Sequence, residues 1–300
     1  MTAPARGRSF LDPAVVARLG TLELKARSVV EGFISGLHRS PFQGFSVEFA
    51  EYRQYIAGDD LSTMDWKVYA RSDRHYVKKF EEETNLQCRL IVDVSGSMAY
   101  GSRGVTKFEY AASLAASLAY LMTRQRDAVG LTAFSDRIVE ALPASARPGH
   151  LRTLLSALER IEIGSRTDVS KPLHRIADSL TRRGMVVLIS DLLDDPEAVV
   201  RGLKHFHYRG SDVLVLQVLD PDELEFPFDR ATRFEDLETG DEVTAVPAAV
   251  REHYLKQIRG LVDRYKRELG AAGIDYHLLN TSQPLELALL AYLSTRSRTA

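Results

Sequence analysis

The sequence predicts an α/β fold built on a doubly wound, mainly parallel sheet, and two observations carry that prediction. First, near-continuous apolar runs read as strands buried on both faces: "CRLIVDV" from residue 88, "AVGLTAF" from 128, "MVVLIS" from 185 and "DVLVLQVLD" from 212. Second, segments with apolar residues at helical spacing lie between these runs. Strands alternating with helices imply right-handed crossovers and helices on both faces of the sheet.

Taken in order, residues 12–38 place Val15, Leu19, Leu22, Leu24, Val29, Val30, Phe33 and Leu37 at mixed helical spacing after an Asp12-Pro13 start, predicting one or two helices. Residues 39–87 are rich in aromatic and charged side chains without a clean period, which suggests short strands and loops. A helix at 106–125 presents Ala111, Ala112, Ala115 and Ala119, a small-residue face suited to close packing on a sheet. "RIVEAL" reads as the antiparallel neighbour of "AVGLTAF" across a Ser135-Asp136 turn.

Helices at 149–160, 171–183 and 196–207 and a hairpin turning at Thr239-Gly240-Asp241 follow. The next helix, 248–269, has Gly270 as its natural stop, and "IDYHLLN" with a last helix from Pro284 closes the chain. The expected organisation is an N-terminal helical and short-strand extension, residues 1–87, before the α/β domain, residues 88–300. No internal repeat is visible.

Bulk composition excludes several classes. With 45% hydrophobic and 27% charged residues, the 300-residue chain has the make-up of an ordinary globular protein. Its 39 basic and 41 acidic residues nearly cancel, so no global field draws in nucleic acid or an anionic membrane. The single cysteine, Cys88, excludes an internal disulfide and a cysteine-built zinc site. No apolar run approaches the roughly 20 residues needed to cross a bilayer, and the expected location is cytoplasmic.

The chemistry is concentrated at "IVDVSGSMAY", residues 91–100, where Asp93, Ser95 and Ser97 leave a buried strand. In a doubly wound sheet, ligands sit beyond the carboxyl ends of strands. Thr167 in "GSRTDV" and Asp191 in "ISDLLDD" are expected at the same rim. Two carboxylates and three hydroxyls from three loops make a hard-cation site of Mg²⁺ type, with Mn²⁺ or Ca²⁺ as alternatives. Because hydroxyls are neutral, such an ion stays electron-poor and favours a carboxylate from outside.

Plainer readings stand beside this one. Asp and Ser at a strand end also satisfy backbone groups in turns. Thr167 or Asp168 could cap the following helix, and Asp195 before Pro196 reads as a cap. Gly96 and Gly101 have phosphate-loop spacing, but Ser102 stands where lysine is required. The histidines show no HExxH or paired-ligand spacing.

Asp93-Val94-Ser95-Gly96-Ser97, with Thr167 and Asp191, resembles the metal-ion-dependent adhesion site of von Willebrand factor A domains, a Rossmann-like fold, over about residues 88–295. Upstream, "HRSPFQGFSVEFAEYRQYIAGDD" and "MDWKVYARS" resemble the signature of the DUF58 family, here within residues 39–80. The matching positions are Gly44, Glu48, Arg53, Tyr55, Gly58, Asp59, Asp60, Asp65, Trp66, Ala70 and Arg71. Leu61 departs from the basic residue expected there.

The chemistry of Asp59, Asp60, Asp65 and Trp66 also fits a hydrogen-bonded structural knot in which arginines pair the carboxylates. Lys67, Arg71, Arg74, Lys78 and Lys79, answered by Glu81, Glu82 and Glu83, read as a solvated face.

The resemblance implies a metal held by Asp93, Ser95, Ser97, Thr167 and Asp191, the last through water. It also implies recognition of a protein partner that offers an acidic residue, with a MoxR-type AAA+ ATPase as that partner. The expectation is a non-enzymatic adaptor or assembly factor without a transmembrane segment. Two alternatives remain open: a metal-dependent phosphoryl hydrolase, against which no second carboxylate follows Asp93 and no positioned lysine is evident, and a scaffold whose metal only stiffens the loops.

Overall fold

The computed structural model describes residues 12–38, 52–54, 76–78, 86–164 and 169–299. Two compact units divide the chain, residues 1–39 with 86–300 and residues 40–85. In the smaller unit, β1 (Tyr52–Gln54) pairs antiparallel with β2 (Tyr76–Lys78), Arg53 opposite Val77. The other signature positions, and the knot proposed around Asp59, Asp60, Asp65 and Trp66, lie outside the described residues.

The larger unit is built on a six-stranded sheet. Its strands are β3 (Gln87–Asp93), β4 (Ala128–Phe134), β5 (Ile138–Ser145), β6 (Met185–Ser190), β7 (Asp212–Leu219) and β10 (Asp275–Asn280), in the order β10-β7-β6-β3-β4-β5. All pairs are parallel except β4 with β5, whose ladder is interrupted by register shifts. β5 is an edge strand and carries Pro143.

The parallel strands are apolar at successive positions because both faces are covered. Leu90, Val92, Val187, Ile189, Leu214 and Leu216 point into one core, which α1 (Pro13–Ala17), α2 (Leu22–His38), α3 (Lys107–Arg124), α4 (His150–Arg160) and α9 (Glu286–Thr299) share. Ile91, Val186, Leu188, Val213 and Val215 point into the other, under α5 (Ser170–Ser179), α6 (Pro196–Tyr208) and α8 (Pro247–Ala271). The helices of the N-terminal extension thus join this core through Val16, Ala26, Val29, Val30 and Phe33, packing against the helix layer of α3, α4 and α9. Truncating a buried strand residue such as Leu188 to alanine costs about 2–5 kcal/mol.

Local chemistry sets the helix ends. Thr106 and Glu109 form a reciprocal capping box on α3, and Asp195 caps α6 before Pro196, as its sequence predicts. α8 differs from expectation: it runs through Gly270 to Ala271, and the chain turns at Gly273, whose φ of 70° only glycine adopts without strain. α5 stops at Ser179, four residues short of its predicted end. The short helix α7 (Pro221–Glu225) is not signalled by periodicity, because five residues make little more than one turn.

The last helix is fastened to the opposite end of the sheet. Arg296 forms an ion pair and hydrogen bonds with Asp127, which has no exposed side-chain surface. Removing one partner of a buried pair leaves the other charge uncompensated. Arg296→Ala is therefore expected to lower stability by about 2–4 kcal/mol, read as a lower midpoint in urea denaturation; an unchanged midpoint would show that the pair contributes nothing.

Candidate metal centre

Strand order reverses at β3, which has β4 on one side and β6 on the other, so the carboxyl ends of β3 and β6 form the switch-point rim of the sheet. Val92 pairs with Ile189, which brings Asp93 and Ser190 together at the ends of the two strands. There Ser190 Oγ donates to Asp93 Oδ2 at 2.5 Å, and the Ser95 amide donates to Asp93 Oδ1 at 2.9 Å. After Ser95 the chain enters a single 3₁₀ turn, Gly96–Ala99, which returns the Ser97 hydroxyl to within 3.1 Å of Ser95 Oγ.

Asp191 comes to the same point from β6. Ser97 Oγ donates to its Oδ2 at 2.7 Å. The turn that aims Asp191 here runs through Leu192, buried, with a φ of 54°. A left-handed non-glycine residue is strained and persists only where its surroundings hold it. The holding groups are present: the Leu192 amide donates to Ser190 Oγ, its carbonyl accepts from Tyr265, and Gln217 donates to the Asp191 carbonyl.

Four of the five sequence-predicted ligands therefore converge: Asp93, Ser95, Ser97 and Asp191. Thr167 lies outside the described residues, but the chain on either side of it is fastened to this rim. Gly164 donates to the Val94 carbonyl at 2.7 Å, and the Val169 amide donates to Asp194 Oδ2 at 2.9 Å. Asp194, left out of the site on sequence grounds, thus holds the Val169 amide at the start of α5.

Sequence reasoning missed Lys107, and the expectation that no lysine is positioned here is incorrect. Lys107 is wholly buried, its Nζ 2.7 Å from Asp191 Oδ2 and 2.6 Å from Glu223 Oε1. Burial alone would strip its proton, but the Asp191 and Glu223 carboxylates outweigh burial and hold its pKa above the ordinary lysine value. A signal existed: Lys107 shares the inward stripe of α3 with Ala111, Leu114 and Leu118, at spacings of four, seven and eleven. Glu223, on the unanticipated α7, could not be found that way.

Asp93 has a different environment. Complete burial, and then the charge of Asp191, push its pKa up to about 7 against the hydrogen bonds from Ser190 and Ser95. Among the described residues, no basic side chain pairs with it. Nor does any group of three or more His, Cys, Asp or Glu among the described residues converge as a metal site.

The donors at the rim are instead two carboxylates and two hydroxyls, an all-oxygen set that suits a hard divalent cation. A buried carboxylate without a counter-charge beside a second carboxylate is a place where a cation is stabilising. The residues present therefore fit a bound Mg²⁺. Beside them a cleft of about 380 Å³, lined by Ser135, Arg137, Glu140, Arg160, Glu162 and Gly164, opens at the same end of the sheet.

Residues 51–261 match the family model described as "Protein of unknown function DUF58". Uncharacterized protein Rv1480 of Mycobacterium tuberculosis is 30% identical over 264 residues, covering 83% of each chain. Among solved structures, the conserved hypothetical protein BatB from Bacteroides thetaiotaomicron aligns with a TM-score of 0.50 at 17% identity, over 71% of this chain and 99% of that one. The SpRpn10 VWA domain aligns with a TM-score of 0.40 at 14% identity, over 68% of this chain and 93% of that one. The likeness to BatB is one of fold alone.

Proposed function

Because this chain belongs to the DUF58 family of proteins of unknown function, we propose that it is a non-enzymatic interaction module whose rim binds a divalent cation and, through it, an acidic residue of a protein partner. One observation carries the reading: Asp93, wholly buried and without a basic partner among the described residues, shares the rim with Ser95, Ser97 and Asp191. Asp93, Ser95 and Ser97 would hold the ion from one loop, Asp191 from another and Thr167 from a third. When bound, the ion supplies Lewis acidity toward a carboxylate. Lys107 is shared by Asp191 and Glu223, so the ionised Asp93, Asp191, Glu223 and Lys107 sum to a net charge near −2, which a divalent ion would offset.

A MoxR-type AAA+ ATPase is the proposed partner, on the resemblance of the upstream segment to the DUF58 signature. The test is co-purification with such an ATPase in Mg²⁺, in EDTA and with Ser97→Ala. Recovery is expected to fall at least about tenfold in EDTA and in the variant, the loss of roughly 1.4 kcal/mol or more. Equal recovery in all three overturns the reading. If Ser97→Ala lowers the melting temperature but leaves recovery intact, the metal only stiffens the loops.

Lys107 reopens one objection to phosphoryl transfer, since aspartyl-phosphate chemistry uses a positioned lysine. Here that lysine is occupied by two carboxylates, and Ser95 still stands where the general acid is needed. Metal-stimulated turnover of a phosphomonoester, lost in Asp93→Asn, would favour the hydrolase instead.

A further inference from the structure

Besides the six-stranded sheet, the larger unit carries a hairpin of β8 (Thr232–Glu235) with β9 (Glu242–Ala245). The chemistry that the rim leaves unused lies at the amino end of the central strands. There Arg89, the third residue of β3, is half-buried. Its register neighbours are Val186 of β6 and Gly130 of β4, on the sheet face whose core holds Val186 and Leu180. Gly130 offers it no side chain to pack against. On that face Arg89 lines a cavity of about 20 Å³ with Ala144, Leu180, Thr181, Arg182 and Ser211.

Neither Arg89 nor the exposed Arg182 has an ion pair or a side-chain hydrogen bond among the described residues. Burial lowers the Arg89 pKa, and no carboxylate offsets that effect. The acids at this end of the sheet are engaged elsewhere, Asp127 with Arg296 and Asp212 beside His207 and Asp275. A cation drawn out of water without a counter-charge is costly, and a bound anion removes that cost. The loop that carries Arg182 is held in place at both ends. Arg209 donates to the Leu180 carbonyl at 3.0 Å, the Asp212 amide donates to the Gly184 carbonyl at 3.0 Å, and a Cβ at Gly184 would collide with the Gln87 carbonyl oxygen. The cavity is therefore preformed, with room for one oxygen-sized atom.

We propose that Arg89 and Arg182 form an anion site that takes a phosphoryl group, one oxygen entering the cavity and the others facing Arg182. Guanidinium forks match phosphate oxygens in pairs, and two of them balance the roughly −2 charge of a phosphomonoester. A carboxylate carries half that charge and leaves one guanidinium unbalanced. Inorganic phosphate and a phosphate ester of a larger molecule present the same group. The site needs no metal and stands apart from the reading of the rim.

Thermal melting of the full chain in EDTA, at constant ionic strength set with chloride, tests this with inorganic phosphate, O-phosphoserine and acetate as probes. Phosphate at ten times its Kd is expected to raise the melting temperature by roughly 3 °C. Arg89→Met should melt no lower than the unsubstituted chain in chloride, since no partner is lost, and should show no phosphate shift. Arg89→Lys keeps the charge without the fork and should weaken phosphate binding about tenfold. Arg201→Gln, which removes an exposed arginine of α6 paired with Glu197, should respond as the unsubstituted chain does. Protection by phosphate and phosphoserine alike supports a site open to esters, and protection by phosphate alone supports a site for the free anion. Acetate protecting as well as phosphate overturns the assignment. So does a phosphate shift that Arg89→Met retains, an unchanged phosphate affinity in Arg89→Lys, or the lack of any shift in the unsubstituted chain.

Discussion

An Asp93→Asn chain is expected to take up no Mg²⁺ or Mn²⁺, yet in EDTA at pH 8 to melt at a higher temperature than the unsubstituted chain. Both results come from one carboxylate. Burial and Asp191 raise the folded-state pKa of Asp93 to about 7, above the ordinary carboxylate range. An acid raised by folding stabilises the fold below its unfolded value, and that contribution is lost as pH rises through about 7.

At pH 8 without metal, the folded chain therefore carries a buried charge that asparagine does not. The substitution is expected to gain about 1–3 kcal/mol there, or a few degrees in melting temperature. A bound cation reverses the balance, so Mg²⁺ should raise the melting temperature of the unsubstituted chain more at pH 8 than at pH 6, and that of Asp93→Asn at neither. Calorimetry with a thermal-shift series at the two pH values checks this. Retained Mg²⁺ uptake by Asp93→Asn, or equal melting temperatures in EDTA at pH 8, contradicts it.

Lys107→Met has the largest expected effect in the other direction. Its ammonium is the shared counter-charge of Asp191, which has almost no side-chain exposure, and of Glu223, which is 14% exposed. Removing one member of such a group typically costs about 3–5 kcal/mol, because the remaining charges stay buried and unpaired. Urea denaturation should show that loss, and Glu223→Gln in the same chain should restore part of it by removing one orphaned charge. A single substitution with an unchanged midpoint would mean that Lys107 is not the counter-ion the geometry describes. In chains that remain folded, Mg²⁺ affinity should rise, since Asp191 then has no other cation.

The sheet was legible in the sequence because strands buried on both faces leave no polar alternation. The runs from 88, 128, 185 and 212 each became a strand within a residue or two. Asp93 and Asp191 were legible because a strand end in such a sheet faces the rim whatever the rest of the fold does. Lys107 was not, because a basic residue at a helix start ordinarily faces water, and only its alignment with Ala111, Leu114 and Leu118 says otherwise. The stop of α8 was misplaced because Gly270 and Gly273 both suit a terminus, and positive φ is adopted at the second. The crowding of Gly96 by the backbone at Leu237, where an added Cβ would meet its carbonyl oxygen at 2.8 Å, joins segments some 140 residues apart, which no local pattern encodes.

The antiparallel strand at one border of the sheet has a bearing on how copies behave when crowded. A proline lacks the amide that a neighbouring strand would need, and interrupted pairing twists the backbone away from a flat template. With Pro143 in β5 and register shifts beside it, that border is a poor seed for strand-by-strand growth into fibrils.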